Sequence, residues 1–341
     1  MRLRALHFCL VVLFLPIGVS TASAQDTIAA PKGKDSQYIE RFDNWIVVKL
    51  AAENSSDIYT VDTEGDDYVL KPNPTELLRA YFSYKFLSFY LTYVPHFLPG
   101  NNDDREKGRS KGIGLGFKYT SHQWFTELSY SFNKGFYLQN TKDFRPGWQP
   151  GDPYLQVPGL QVMSFEGSTG YNTNPRLSLN AVYGQTERQL GSAGAFLPIL
   201  SYRYFIVDDK DPGTTQKTNN FQVLLGAGYH HTFVIARSFY LFGSFVPSFG
   251  YLNTRLLTRL PSGYVVGHAL SPIYQWDAKA GLGYNAHRVF AGAYMTATSS
   301  KNSQGLSTAV NGNGRVFIQL FVGYRLQAPR ILRETMDKLF H

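Results

Sequence analysis

The sequence of 341 residues has only one cysteine, Cys9, which lies within a predicted signal peptide over residues 1–24. Removal of that segment leaves a chain without any thiol. Disulfide bonds, thiol catalysis and cysteine-ligated metal sites are therefore excluded from the mature protein. Cys9 also lies too near the start of the chain to be the lipid-carrying cysteine of a lipoprotein.

Three features at the amino terminus predict the signal peptide. Arg2 and Arg4 form a positive segment, residues 5–19 form an apolar core, and residues 22–24 read Ala-Ser-Ala, which is a cleavage-site pattern. We expect the mature chain to begin at Gln25. An uncleaved anchor helix is the alternative, but the apolar run is shorter than the ~18 residues that a membrane-spanning helix needs.

Beyond residue 24, the sequence has no apolar run long enough to suggest a transmembrane helix. Charged residues are also scarce, at 17%, whereas soluble proteins usually contain about 25%. Aromatic residues are abundant, with 23 Tyr and 25 Phe. A membrane-spanning β-barrel has this composition because alternate residues of each strand face lipid and water. A large soluble β-sandwich shows the same alternation and is the rival interpretation.

Residues 111–137 show the alternation most clearly. In residues 111–120, Ile113, Leu115 and Phe117 alternate with glycines and Lys118. In residues 124–137, the aromatic and aliphatic side chains again occupy every second position, opposite Glu127 and several serines. A period of two on both sides of a short turn indicates a hairpin with one apolar and one polar face.

The same pattern predicts thirteen strands in all. Bacterial barrels have an even number of strands with short turns at one end, but here the short turns change parity halfway along the chain. Either residues 186–198 hide another strand or one predicted segment is not a strand. We therefore predict an all-β, antiparallel transmembrane barrel of about twelve strands, within ten to fourteen. The predicted strands are 45–53, 77–86, 88–94, 111–120, 124–137, 160–171, 176–187, 199–207, 221–233, 239–251, 274–286, 289–298 and 315–326.

The domain organisation follows from these segments. Residues 25–41 are predicted to be a polar periplasmic lead-in, and residues 42–326 the barrel, with a hairpin extension around residues 58–61. Residues 327–341 are predicted to be a periplasmic tail that contains a short, basic amphipathic helix.

Alternation also predicts which charged side chains face the barrel interior, or lumen. The inward acidic residues are Glu53, Glu127 and Asp277, and they are outnumbered by basic ones, so a conducting lumen would favour anions. The alternative is a filled interior in which these charges pair with one another. The inward basic candidates are Lys49, Arg79, Lys85, Lys118, Arg203, Lys279, Arg315 and Arg325.

One loop is rich in oxygen-bearing side chains. Its candidate residues are Asn101, Asn102, Asp103, Asp104 and Lys107. Such a cluster resembles a Ca²⁺ site, but the regular Asp-x-Asp-x-Asp-Gly spacing is absent and basic neighbours compete for the carboxylates. A solvated, salt-bridged loop is the favoured interpretation, and no metal or cofactor is predicted.

An outer-membrane hydrolase is the enzymatic alternative. Such an enzyme needs a histidine beside a serine or an aspartate at the outer rim, with a polar group to orient it. His96 is the histidine nearest the acidic loop, whereas His122 lies in a predicted periplasmic turn. No paired motif stands out, so no catalytic residue is predicted.

Several segments resemble a known family. They include residues 95–111, residues 135–144, residues 186–194 and Val322-Gly323-Tyr324-Arg325. Together they resemble a family of Bacteroidota outer-membrane proteins catalogued as domain of unknown function 4421. The resemblance covers about residues 39–326 and implies an outer-membrane location and a single domain. It brings no reaction, ligand or catalytic residue.

The sequence thus predicts an outer-membrane barrel, with passage of small solutes through a basic lumen as the first hypothesis. The alternative is a binding or scaffold barrel of a secretion or surface-attachment complex, and a hydrolase is the third hypothesis. The expected partners are the bilayer, lipopolysaccharide and the assembly machinery of the outer membrane. Nucleic acid is not expected, although the formal net charge is +8, because the chain is predicted to be exported.

Overall fold

The computed structural model describes residues 37–63, 66–73, 76–95, 97, 98, 100–121, 123–210, 216–260, 262–302 and 310–340. The predicted signal peptide and most of the lead-in fall outside these residues. The strands are β1 Ile39–Arg41, β2 Trp45–Thr63, β3 Asp66–Pro72, β4 Glu76–Tyr84, β5 Leu87–Tyr93, β6 Lys111–Ser121, β7 Trp124–Leu138, β8 Gln156–Tyr171, β9 Glu187–Gln189, β10 Ala193–Asp209, β11 Gln216–Ile235, β12 Phe239–Leu260, β13 Gly263–Asn285, β14 Val289–Asn302 and β15 Val310–Gln327. The helices are α1 Asp104–Lys107, α2 Thr141–Phe144 and α3 Arg330–Phe340.

Twelve of the described strands form a closed antiparallel ring, which confirms the predicted barrel. The ring runs β2, β4, β5, β6, β7, β8, β10, β11, β12, β13, β14, β15, and β15 pairs with β2 to close it. β3 pairs with the far end of β2 and with the end of β7, so a hairpin extends beyond the ring near the predicted residues 58–61. β1 and β9 form a separate two-stranded sheet.

The two ends of the barrel differ in their connections. Only a few residues join β4 to β5, β6 to β7, β11 to β12 and β13 to β14, and because the strands alternate in direction these four turns lie at one end, here called the turn end. The start of β2 and the end of β15 meet there too, since Trp45 pairs with Gln327. The opposite end, here called the loop end, holds α1, α2 and the β2–β3 hairpin.

Side-chain exposure follows the predicted alternation in β2. Outward Leu50 is 60% exposed, whereas inward Lys49 and Glu53 are each 2% exposed. Neighbouring strands repeat the pattern, with Phe82 and Leu225 exposed on the outer surface. A protein that exposes leucine and phenylalanine while it buries lysine and glutamate has the surface of a lipid-facing barrel.

One predicted strand is wrong, and it accounts for the parity conflict. Residues 176–187 do not form a ring strand but belong to a connection between β8 and β10, residues 172–192, which turns into the lumen at the turn end. We call residues 172–192 the plug. Its alternating Leu177, Leu179 and Ala181 mimic a strand, but they are buried in the barrel interior rather than exposed to lipid. Without this segment the count is twelve, and the short turns that were in conflict, after β4, β6, β11 and β13, lie at one end.

The start of the plug is set by asparagine side chains. The Asn172 side-chain oxygen accepts a hydrogen bond from the backbone N–H of Asn174, and Asn174 does the same for Arg176. Side-chain bonds of this kind mimic a backbone turn and redirect the chain. Residues 172–174 lie between the predicted strands 160–171 and 176–187, and in the structure they lead the chain into the interior.

Arg325 of β15 holds the other end of the plug. Its guanidinium is fully buried and donates to the Gln185 carbonyl from two nitrogens, at 2.9 and 2.7 Å. It also donates to the carbonyls of Ala286 and His287 and to the Asn285 side chain. The rings of Phe42 and Phe290 cover the guanidinium at 3.9 and 4.9 Å. The plug is therefore fixed to the barrel wall.

Lys85, a predicted lumen residue, contacts the carboxy-terminal tail outside the ring of strands. α3 begins at Arg330, within the predicted tail, and its Asp337 accepts a hydrogen bond of 2.6 Å from Lys85 Nζ. Lys85 lies in the β4–β5 turn with φ at +52°, because the strand has already ended at Tyr84. The prediction that Lys85 faces the lumen is therefore wrong, since the alternation stops one residue earlier.

Candidate functional site

The barrel interior contains a cavity of about 420 Å³ above the plug. Side chains from all twelve ring strands line it, and Leu179 and Tyr183 of the plug belong to its lining at the inner end. Towards the loop end the cavity reaches Pro72, Gly112 and Asn133. The plug thus forms a floor that divides the lumen into a filled half and a cavity half.

The lumen arginines are neutralised by carboxylates. Arg79 contacts Glu53 at 3.1 Å, Arg203 contacts Glu166 at 3.0 Å, and Arg315 contacts Asp57 at 2.8 Å. Arg315 also lies 3.5 Å from Glu166, so these last four charges form one network. Paired arginines of this kind build the wall and leave little charge for a ligand.

Two further acids, Glu166 and Asp57, face the lumen and are absent from the predicted set. Glu166 lies in β8 in phase with Ser164 and Ser168, so the alternation within the predicted strand was sufficient to find it. Asp57 continues the inward series of β2 beyond Glu53, where the predicted strand ended too early. The lumen is consequently less basic than the sequence suggested.

The three lumen lysines behave differently from the arginines, because they converge on Tyr183 of the plug. Lys49 Nζ donates to the Tyr183 carbonyl at 3.0 Å. The ammonium groups of Lys118 and Lys279 lie 4.4 and 5.2 Å from the centre of the Tyr183 ring. No described carboxylate lies within 4.0 Å of these three ammonium groups. The lumen lysines that lack a carboxylate contact in the described chain are therefore gathered around Tyr183 at the cavity floor.

The walls above the floor carry small polar side chains. On β6, Gly112 and Gly114 line the cavity without side chains, which leaves room at its centre. Serine and threonine hydroxyl groups from five strands also line the wall. They belong to Ser129, Ser131, Ser168, Ser201, Ser244, Ser248, Thr296, Thr298 and Ser300.

The predicted acidic loop is a structural corner of the loop end. The Asn101 side chain donates to the carbonyls of Glu76 and Pro95, and Asp103 pairs with Lys107 within the same turn. Asp104 accepts a bond from Asn73, whereas Asn102 is exposed. Among the described residues there is no group of three or more histidine, aspartate or glutamate side chains that could hold a metal ion.

In the described chain, no histidine forms a hydrogen bond with a serine hydroxyl. His230 is buried, bonds to Thr232 at 3.1 Å and stacks on Phe242. His287 packs edge-on against aromatic rings at the turn end. His96 and His122, which the hydrolase hypothesis considered, lie outside the described residues.

The closed ring, its apolar outer surface and its charged interior define an outer-membrane-type β-barrel. Within this class, the chain belongs to the family described as Domain of unknown function (DUF4421), whose model matches residues 33–326. No curated protein matches the sequence. In the described part of the chain, no helix is long and apolar enough to cross a membrane.

Solved outer-membrane proteins are similar to the chain at low identity. The outer membrane protease OmpT from Escherichia coli matches 84% of this chain and 98% of its own, with 9% identity and a TM-score of 0.36. The translocator domain of the autotransporter NalP from Neisseria meningitidis matches 83% of this chain and 89% of its own, with 10% identity and a TM-score of 0.37. The fold assignment rests on the strand pairing of the chain itself.

Proposed function

We propose that the protein is an outer-membrane barrel that binds a small polar solute in its lumen and is closed to free diffusion by the plug. The main observation behind this proposal is the plug, which fills the turn-end half of the lumen and forms the floor of the cavity. The even strand number, short turns and apolar outer face support a location in the outer membrane with the turn end in the periplasm. The cavity then faces the cell exterior, where solutes arrive.

Conductance tests this proposal directly. The refolded mature protein is expected to be silent in a planar bilayer, whereas a barrel without its plug is expected to conduct. Residues 175–191 can be replaced by Gly-Ser-Gly-Ser, since the Asn174 side chain already bonds to the Gly194 carbonyl at 2.8 Å and the two ends are neighbours. Heat-modifiable migration of both proteins verifies that the barrel is folded. Steady conductance of the intact protein would contradict the proposal.

A second candidate, a channel gated by the plug, is favoured by one observation. In the described chain, β9 of the plug pairs only with β1, and no ladder joins the plug to a ring strand. Release of the plug would therefore leave the barrel ladders intact. Small solutes would then pass through the open pore, as the sequence hypothesis of a basic lumen proposed.

A disulfide lock separates these two candidates. A Cβ built on Gly184 of the plug would lie 3.4 Å from Ser88 Oγ of β5, so the pair G184C and S88C is placed for a bond. The mature chain has no other cysteine, and each single variant is a control. Current that appears only after reduction would support gating. Silence in both redox states, in the presence of candidate solutes, would leave the closed binding barrel.

A further inference from the structure

The cavity floor combines features that the proposed function does not by itself require. The arginines of the lumen each contact a carboxylate or a set of carbonyls. In the described part of the chain, Lys118 and Lys279 form no ion pair or hydrogen bond, and both lie against the ring of Tyr183. Both lysines line the cavity, and so does Tyr183. A cationic side chain that forms no ion pair within the barrel wall is available to bind an anionic ligand.

Two acids lie near this pair of lysines but form no ion pair with them in the described chain. Glu127 lies opposite Lys118 in the β6–β7 register but outside contact distance of any described ammonium group. Asp277 is occupied by the side chains of Gln275 and Thr298, at 2.9 and 2.6 Å. Lys118 and Lys279 share the floor with these two carboxylates, but neither ammonium group has a carboxylate within 4.0 Å in the described chain. An anionic group can therefore occupy the floor with favourable electrostatics.

The wall above the floor indicates what the rest of the ligand resembles. Its serine and threonine hydroxyls both donate and accept hydrogen bonds, as the hydroxyls of a sugar do. A volume of about 420 Å³ lies in the range of small-molecule sites. The cavity thus pairs an anion-binding floor with a hydroxyl-binding wall.

We propose that the cavity floor formed by Lys118, Lys279 and Tyr183 is a binding site for a small hydroxylated anion of the sugar-phosphate or sugar-acid class. The anionic group lies at the two ammonium groups, and the sugar hydroxyls bond to the Ser and Thr side chains of the wall. This inference deepens the proposed function, because it rests on a solute entering from the loop end. Lys49 holds the floor in place through the Tyr183 carbonyl.

Calorimetric titration of the folded mature protein in detergent tests the site. The probe is glucose 6-phosphate, with glucose and inorganic phosphate as comparators. We expect saturable binding of glucose 6-phosphate, weaker binding of inorganic phosphate and no binding of glucose. The variants K118Q and K279Q should each lower the affinity for glucose 6-phosphate about tenfold or more, since a charge-assisted bond is lost.

Lys134 provides the matched control, because it is an exposed lysine of β7 that lies away from the cavity lining. K134Q should bind as the wild type does, and heat-modifiable migration verifies that every variant is folded. The proposed site would be overturned if the wild type showed no saturable binding. It would also be overturned if K118Q and K279Q bound glucose 6-phosphate with the same affinity as the wild type. If the protein binds glucose 6-phosphate but also conducts, the site stands and the closed barrel is overturned. If it neither conducts nor binds, the closed barrel stands and the site is overturned.

Discussion

The two halves of the lumen use the same strands in different ways. In the turn-end half, inward aromatic residues and the plug fill the interior, with clusters around Phe125, Phe290 and Tyr240. In the loop-end half, apolar clusters around Phe136 and Phe205 line the wall, but the centre is the cavity. The centre of the barrel is therefore filled at one end and open at the other.

This difference teaches how a membrane barrel can separate stability from binding. The outer surface gains its stability from lipid along the whole strand, so the interior does not need to be filled throughout. Filling half of it with a plug fixes a floor at a defined depth. The other half can then keep small polar side chains and charges that a soluble core would exclude.

Arg325 is the residue whose loss should most weaken the filled half. R325A is expected to cost on the order of 3–5 kcal/mol, because it leaves buried carbonyls without their donor and opens space between Phe42 and Phe290. Urea unfolding in lipid vesicles measures the loss. R288A is the control, since Arg288 is a nearby but exposed cation. Equal stability of the two variants would show that Arg325 does not anchor the plug.

The contrast between lumen arginines and lysines gives the second prediction. R79M should cost about 3 kcal/mol, because it leaves the buried Glu53 carboxylate without its cation. K118M should cost less than about 1 kcal/mol, since Lys118 has no carboxylate contact in the described chain. The same unfolding experiment compares them. A larger loss for K118M would mean that Lys118 stabilises the wall rather than serving a ligand.

The sequence predicted the strands of the barrel wall well, and the arrangement of the residues inside the lumen poorly. Alternation assigns a face to each residue of a strand, so the inward positions of Arg79, Lys118 and Arg315 could be inferred one by one. The pairing of Arg315 with Asp57 depends on β15 meeting β2, which joins the two ends of the chain. Only closure of the ring brings them together, and no local pattern encodes closure.

The plug was hidden because its environment is buried on every side. Alternation distinguishes lipid from water, but Leu177 and Leu179 face packed protein and still show a period of two. The signal that something was wrong came from topology, because an odd strand count conflicts with short turns at one end. Tyr183 and its three lysines could not be grouped before the plug was known to enter the lumen.

Glycine substitutions compare the packing of the two halves. A Cβ on Gly323, in the filled half, would lie 2.0 Å from the Phe290 ring and 2.7 Å from the Val48 carbonyl oxygen. A Cβ on Gly114, beside the cavity, would meet the Thr92 side chain at 3.2 Å and the Tyr130 carbonyl oxygen at 3.8 Å. G323A should therefore cost about 1–3 kcal/mol, and G114A less than about 1 kcal/mol. Equal costs in the unfolding experiment would contradict a difference in packing density.

The smallest effect is expected from Glu187. It lies on the side of the plug that pairs with β1, here called the outer face of the plug. Burial raises the pKa of the Glu187 carboxyl, although the Ser178 hydroxyl donates to it and Arg41 lies 3.4 Å away, while Asp43 adds to the rise. A raised pKa means that the folded state prefers the protonated form. This contribution to stability is present below the ordinary carboxyl range and is lost as the pH rises through the raised value.

The variant E187Q cannot titrate, so the difference in unfolding free energy between it and the wild type isolates this one group. Relative to E187Q, the wild type should become less stable as the pH rises from the acidic range towards neutral. A difference that is flat with pH would mean that Glu187 is solvated and that the plug is open at its outer face. A difference of the opposite sign would mean that the Arg41 ion pair outweighs burial, so that the plug is held there by charge rather than by packing.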